Sequence, residues 1–135
     1  MTRTEILQEL HNKRNCAMVT LGEYADLIGF DREETDSFAL VFGGGMRKGN
    51  VCGAVTGAYM AIGSYFKERD KAEEVAEQFE QKFKEKHGTI LCKELLGKDF
   101  SIPEERAEAF EKGLTDDKCP DFIATAIDIL EELLV

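Results

Sequence analysis

The apolar residues of this chain recur every three or four positions, which is the spacing of helices that bury one face. No window shows the strict alternation that is typical of a half-buried strand. Two apolar sets in the first thirty residues predict two helices, or one long bent helix, ending at Gly29: Ile6, Leu7 and Leu10, then Ala17, Met18, Leu21, Ala25 and Ile28. The pattern therefore predicts an all-α fold.

Start and stop signals place the next two helices. Asp31 and Glu34 have the spacing of a capping box, so a helix is expected to follow them and to stop at the glycines of positions 43–45. We expect that helix to bury Phe38, Ala39, Val41 and Phe42. Cys52 then opens the most apolar stretch of the chain, which reaches about Phe66 and should be the central, most buried helix.

The second half of the chain carries four further helical segments. A stripe among lysines and glutamates predicts an amphipathic helix ending near Gly88: Ala72, Val75, Ala76, Phe79 and Phe83. Thr89 is expected to cap a short helix ending at Leu96, and Pro103 to lie in the first turn of another. Pro120 suits the first position of the last helix. The sequence thus predicts a single-domain helical bundle of about six to eight helices over residues 1–135.

Composition and charge narrow the function classes. The chain has 135 residues, long enough for one core without disulfides, and a formal net charge of −10. That charge repels phosphate backbones, so nucleic acid is not an expected partner. The N-terminus has no signal-peptide core, and the longest apolar stretch is short for a membrane span, so we expect a cytoplasmic protein without a membrane-spanning segment.

Four cysteines are the candidate functional residues: Cys16, Cys52, Cys92 and Cys119. In a reducing compartment such a set indicates metal binding, catalysis or redox sensing more than a permanent disulfide framework. Each cysteine falls at or near a predicted helix start, where backbone N–H groups favour thiolate and would lower the thiol pKa. No CxxC pair is present, so any site must be assembled by the fold. Alternatively, the four are simply small buried apolar residues.

Three functions fit these cysteines. In the first, thiols exchange with the disulfide of a small molecule or partner protein, and Cys52 is the expected nucleophile. In the second, Cys16, Cys52, Cys92 and Cys119 together bind zinc or an iron–sulfur cluster, whose charge would compensate several thiolates. In the third, an interaction domain uses scattered thiols to sense redox state. Spacing does not select one of them.

Glycines are the second unusual feature. The loop from Gly43 to Val51 lacks the Gly-Lys-Ser/Thr end of a phosphate-binding loop. Its N–H groups, with Arg47 and Lys48, could instead offset negative charge at Cys52, or the loop could be an ordinary connection. Gly53 and Gly57 leave one helix face almost bare, which allows close helix packing or the approach of a cofactor.

Several separated motifs occur in a familiar order: Asn-Cys-Ala at 15–17, the triple glycine, CGAVTG at 52–57, Cys-Lys-Glu-Leu-Leu-Gly at 92–97, and a late cysteine. In this order they resemble the C_GCAxxG_C_C family of redox-active proteins with four characteristic cysteines. The resemblance implies that the family's cysteines correspond to Cys16, Cys52, Cys92 and Cys119, and its central glycines to Gly53 and Gly57. The family name writes glycine before cysteine, whereas this chain has Cys52 before Gly53.

Overall fold

The computed structural model describes residues 1–134, which form nine α-helices and one short turn of the π type. The helices are α1 Arg3–His11, α2 Cys16–Glu23, α3 Ala25–Ile28, α4 Arg32–Ala39, α5 Gly53–Phe66, α6 Arg69–His87, α7 Cys92–Leu96, α8 Pro103–Glu111 and α9 Leu114–Leu133. The turn spans Gly45–Gly49. The all-α prediction is confirmed, and the count of six to eight helices is too low because the N-terminal apolar sets divide into three helices.

Helix α5 is the centre of the fold, as its apolar composition predicted. It packs most extensively against α2 and also contacts α6 and α9. Half of its fourteen residues are buried, and most of these are small: Gly53, Ala54, Val55, Gly57, Ala58, Ala61 and Ile62. Small side chains let the neighbouring backbones come close, so the core is assembled around this helix.

The contact between α5 and α2 depends on two glycines. A Cβ atom on Gly53 would lie 2.8 Å from the backbone nitrogen of Ala17, and one on Gly57 would lie 2.8 Å from the carbonyl oxygen of Ala17. Ala17 itself is fully buried. Close helix packing thus accounts for both glycines.

Two sequence predictions about the first half of the chain are partly wrong. The capping box of Asp31 and Glu34 is present, but α4 ends at Ala39, before the glycines. Beyond that point Val41 no longer lies on a helix face, and it is 60% exposed. Phe38 is 48% exposed and packs edge-on against Phe30 instead of entering the core.

The last helix starts earlier than its proline suggested. Helix α9 begins at Leu114, after Gly113 in the left-handed conformation, so Pro120 lies inside the helix and Cys119 is not at its start. A proline at this point removes one backbone hydrogen bond to Asp116, and Asp116 is exposed to water, which reduces the loss. The helix therefore tolerates the proline and gains one and a half turns before it.

Within residues 1–134, none of the helices has both the length and the apolar character that crossing a lipid bilayer requires.

Replacing Gly57 by Ala should destabilise the protein by about 1–3 kcal/mol, because the added methyl group meets the Ala17 backbone, which cannot move aside as a flexible side chain would. Gly63→Ala is the matched control on the same helix. Gly63 is exposed, with nothing within 4 Å of an added Cβ, so this variant should gain about 0.4–1 kcal/mol. Urea denaturation measures both, and equal effects of the two substitutions would contradict the packing argument.

Candidate functional site

All four cysteines line one cavity of about 520 Å³. The cavity lies where the first turns of α2, α5 and α7 meet α9 and the Gly45–Gly49 turn. Cys16 is half-buried, and Cys52, Cys92 and Cys119 are buried. None of the four is in a disulfide. The fold thus brings together thiols that are separated by up to 103 positions in the sequence.

Cys52 and Cys92 are fixed beside each other by the backbone. Val51 and Leu91 form an isolated antiparallel bridge. On either side of it, the Cys52 N–H donates to the Ile90 carbonyl at 2.8 Å and the Cys92 N–H donates to the Asn50 carbonyl at 2.7 Å. Because both hydrogen bonds involve the cysteines' own amides, their positions are set by main chain.

Cys16 is held by its neighbour Asn15, the N-cap of α2. The Asn15 side-chain oxygen accepts the Met18 N–H at 2.8 Å, and its amide nitrogen donates to the carbonyls of Ala39 and Leu40 at 3.1 Å. One side chain therefore caps α2 and attaches its first turn to the end of α4. The close packing at Gly53, where a Cβ would lie 2.9 Å from the Cys16 Cβ, then brings α5 and Cys52 alongside.

Cys16 is the thiol that interacts with each of the others. Its thiol lies near that of Cys119, on α9, which is the neighbour that raises the pKa of Cys16 most. Cys16 also interacts electrostatically with Cys52 and with Cys92. The structure consequently brings all four predicted site residues together, with Cys16 in contact range of three different helices. Which of them attacks a substrate is not tested by this arrangement, so Cys52 as nucleophile stays a prediction.

The expectation of lowered thiol pKa values is wrong for Cys16, Cys52 and Cys92. Burial raises the pKa of Cys52 well above its ordinary value of 9.0, and the nearby Cys16 and Cys92 raise it further. The backbone N–H groups of Ala54 and Val55, at the start of α5, do lower that pKa, as the helix-start argument requires. Their effect is smaller than the loss of hydration around a buried thiolate.

Burial also contributes to the raised pKa values of Cys16 and Cys92. The hydrogen bond with Cys119, followed by burial, raises the pKa of Cys16 well above 9.0. Burial, with the charges of Cys16 and Asp99, raises the pKa of Cys92 to about 12. These three thiols are therefore protonated at neutral pH.

The glycine-rich turn lies against Cys92, a contact that the sequence did not indicate. A Cβ on Gly45 would lie 2.7 Å from the Cys92 Cβ, so only glycine fits there. The turn is closed by the Asn50 N–H, which donates to the Gly45 carbonyl at 2.8 Å. Met46 and Arg47 both hold positive φ, of 58° and 67°, which costs about 1–2 kcal/mol for each residue. This conformation places Arg47, but not Lys48, on the cavity wall.

Of the two glycines predicted to contact a cofactor, Gly53 and Gly57, only one lies on the cavity wall. Gly53 lines the cavity, so a ligand contact there stays a prediction. Gly57 lies one turn further along α5, against Ala17 and Thr20, and is not part of the cavity wall. The site also contains residues that the sequence did not indicate, chiefly Phe100 and Arg106. No motif marks them, since only the packing of α8 brings them to the thiols.

The metal alternative is not confirmed by the described residues and stays a prediction. Over residues 1–134, no three or more side chains of the ligand types His, Cys, Asp and Glu are grouped as a metal ion requires. Structural zinc sites use four such ligands and catalytic ones use three. Although the four thiols share one cavity, they do not converge on one point.

Raised thiol pKa values predict a loss of stability in alkaline solution. Below pH 9 the folded and unfolded states both hold the Cys92 proton, whereas between about pH 9 and 12 only the folded state holds it. The free energy of unfolding should therefore fall with rising pH in this range, by up to about 1.4 kcal/mol per pH unit from Cys92 alone. Urea denaturation of the reduced protein between pH 8 and 10.5 measures the slope.

Cys92→Ser removes this titrating group and should make that slope shallower. Titrating groups that both proteins contain contribute equally to the two slopes, so the difference between the slopes reports Cys92. An equal slope in the two proteins would show that the Cys92 thiol is not held protonated by the fold.

Comparison with known proteins agrees with the cysteine pattern. Residues 14–133 match the model of the family described as "Putative redox-active protein (C_GCAxxG_C_C)". No curated protein and no solved structure matches the chain. The matched segment starts two residues before Cys16, ends within α9 and includes all four cysteines, so the chain belongs to the C_GCAxxG_C_C family.

Proposed function

We propose that the protein performs thiol–disulfide exchange in the four-cysteine cavity, with Cys16 and Cys119 as the pair that cycles between dithiol and disulfide. Two observations carry this proposal: Cys16 and Cys119 line the same cavity, and Cys119 is the neighbour that raises the pKa of Cys16 most. A disulfide needs the two sulfurs to approach to about 2.05 Å, so its partners must be neighbours in the fold.

Access supports Cys16 as the first residue to react. It is the one cysteine of the four that is not fully buried, and it lines the cavity. A substrate entering the cavity would reach Cys16 before it reached Cys119, which is 7% exposed. The Cys119 thiol is then protected from solvent. This protection limits side reactions of the mixed disulfide that forms between Cys16 and the substrate.

The reaction balances as follows for a substrate disulfide RSSR. Cys16 loses its proton to solvent base and attacks one substrate sulfur; the S–S bond of RSSR breaks, and RS⁻ leaves and is protonated. Cys119, deprotonated in turn, attacks the Cys16 sulfur of the mixed disulfide and displaces the second RS⁻. Two protein thiols are oxidised to one disulfide, and the substrate disulfide is reduced to two thiols.

Cys52 and Cys92 extend the same cluster. Cys52 lies next to Cys16, and the N–H groups of Ala54 and Val55 lower its pKa against the effect of burial. Those hydrogen bonds support the competing assignment, in which Cys52 attacks first and Cys16 resolves the mixed disulfide. The two assignments differ in which single substitution abolishes the first step.

Oxidation of the reduced protein by one equivalent of a disulfide should cross-link the peptide containing Cys16 to the peptide containing Cys119. Cys16→Ser and Cys119→Ser should each abolish that cross-link, whereas Cys92→Ser should retain it. Peptide mapping by mass spectrometry identifies the pairs, and far-UV circular dichroism verifies that each variant is folded.

The trapped mixed disulfide distinguishes the two nucleophiles. With Cys119→Ser, the substrate thiol should remain on Cys16. With Cys16→Ser, its accumulation on Cys52 would identify Cys52 as the attacking residue, because Cys16 is the resolving residue in that assignment. A Cys52–Cys92 disulfide in the wild-type protein, or four thiols that stay reduced, would refute the proposed pair.

A further inference from the structure

Two arginines on the cavity wall have no carboxylate partner. Arg47 and Arg106 both line the cavity and are exposed. Among the described residues, neither guanidinium lies within ion-pair distance of an acidic side chain, although ten such pairs occur elsewhere. In a chain with ten more acidic than basic residues, unpaired arginines at one cavity are unusual.

Two further charged side chains besides these arginines lie on the cavity wall. Arg14 forms ion pairs with Glu9, at 2.6 Å, and with Asp36. Asp116 is the one acidic residue on the wall, and its carboxylate is 2.9 Å from His11 Nε2. Apart from the paired Arg14, the wall thus carries two arginines, Arg47 and Arg106, against one carboxylate, and its formal charge is positive.

Phe100 connects the two arginines. The Arg106 guanidinium lies over the Phe100 ring, 6.0 Å from its centroid. The same ring packs on Gly44, where a Cβ would lie only 2.5 Å from a ring carbon. Gly44 begins the left-handed segment that carries Arg47, so both cations are positioned around one aromatic wall.

The size and depth of the cavity favour a small molecule over a protein segment. A volume of about 520 Å³ is in the range of small-ligand pockets. The sulfurs lie at its buried end, where Cys52, Cys92 and Cys119 are each less than 8% exposed. The wall around them is largely apolar, with Leu95, Leu96 and Phe122 among its residues.

We propose that the cavity takes a small-molecule disulfide whose arms end in carboxylates, with Arg47 and Arg106 binding the carboxylates while the S–S bond reaches Cys16. This inference rests on the proposed thiol–disulfide exchange and names its substrate class. The reaction is the exchange written above, with the carboxylate-bearing disulfide as the oxidant that is reduced to two thiols.

Three disulfides of similar size and different charge test the inference: 3,3′-dithiodipropionate, bis(2-hydroxyethyl) disulfide and cystamine. Wild-type protein should be oxidised fastest by the anionic compound and slowest by the cationic one. The double substitution Arg47→Gln, Arg106→Gln should slow oxidation by dithiodipropionate about threefold to tenfold and leave the neutral compound unaffected. High salt should slow only the anionic reaction in the wild-type protein.

A matched control removes two positive charges elsewhere. Arg69→Gln with Lys86→Gln changes exposed residues of α6 that do not line the cavity, and should alter none of the three rates by as much as twofold.

The outcomes separate this inference from the proposed function. If all three disulfides oxidise Cys16 and Cys119 at rates that the arginine substitutions do not change, the exchange chemistry stands and the carboxylate preference is refuted. Faster oxidation by the protein disulfides of insulin than by dithiodipropionate would also refute it, in favour of a protein substrate. If none of the compounds oxidises the pair, the proposed function itself fails.

Discussion

Helices α2 and α5 approach so closely at Gly53 and Gly57 that neither position has room for a Cβ atom. Because Cys16 begins α2 and Cys52 immediately precedes α5, this approach brings their side chains into one place. The bridge between Val51 and Leu91 then adds Cys92, and the packing of α9 adds Cys119. The geometry of the site is therefore a consequence of helix packing.

The same helix packing also determines the pKa values of the cysteine thiols. The start of α5 offers N–H groups to Cys52, but the cluster that brings the thiols together also excludes water from them. Helix ends contribute only about 0.3–1 kcal/mol, whereas removal of a charge from water costs several kcal/mol. Desolvation therefore exceeds the helix effect, and a cysteine at a helix start keeps its proton when it is also in the core.

The sequence predicted those features that local patterns determine. The apolar run before Phe66 and the capping box of Asp31 each act within a few residues and predicted their helices, and the cysteine motifs predicted the family. The exposure of Val41, the interior position of Pro120 and the raised thiol pKa values depend on packing between distant segments. Arg106 and Phe100 join the site only through the placement of α8, which no local pattern encodes.

Protonated, buried thiols also bear on the direction of the proposed exchange. A dithiol becomes a strong oxidant when its reduced form is stabilised as a thiolate, and burial gives Cys16 the opposite environment. Because the Cys16 thiol stays protonated at neutral pH, no Cys16 thiolate stabilises the reduced pair. A thiol of raised pKa is also the stronger nucleophile once it ionises. In the proposed exchange, the first effect favours a protein that gives electrons to the disulfide of its substrate, whereas the small thiolate fraction of Cys16 at neutral pH slows its attack.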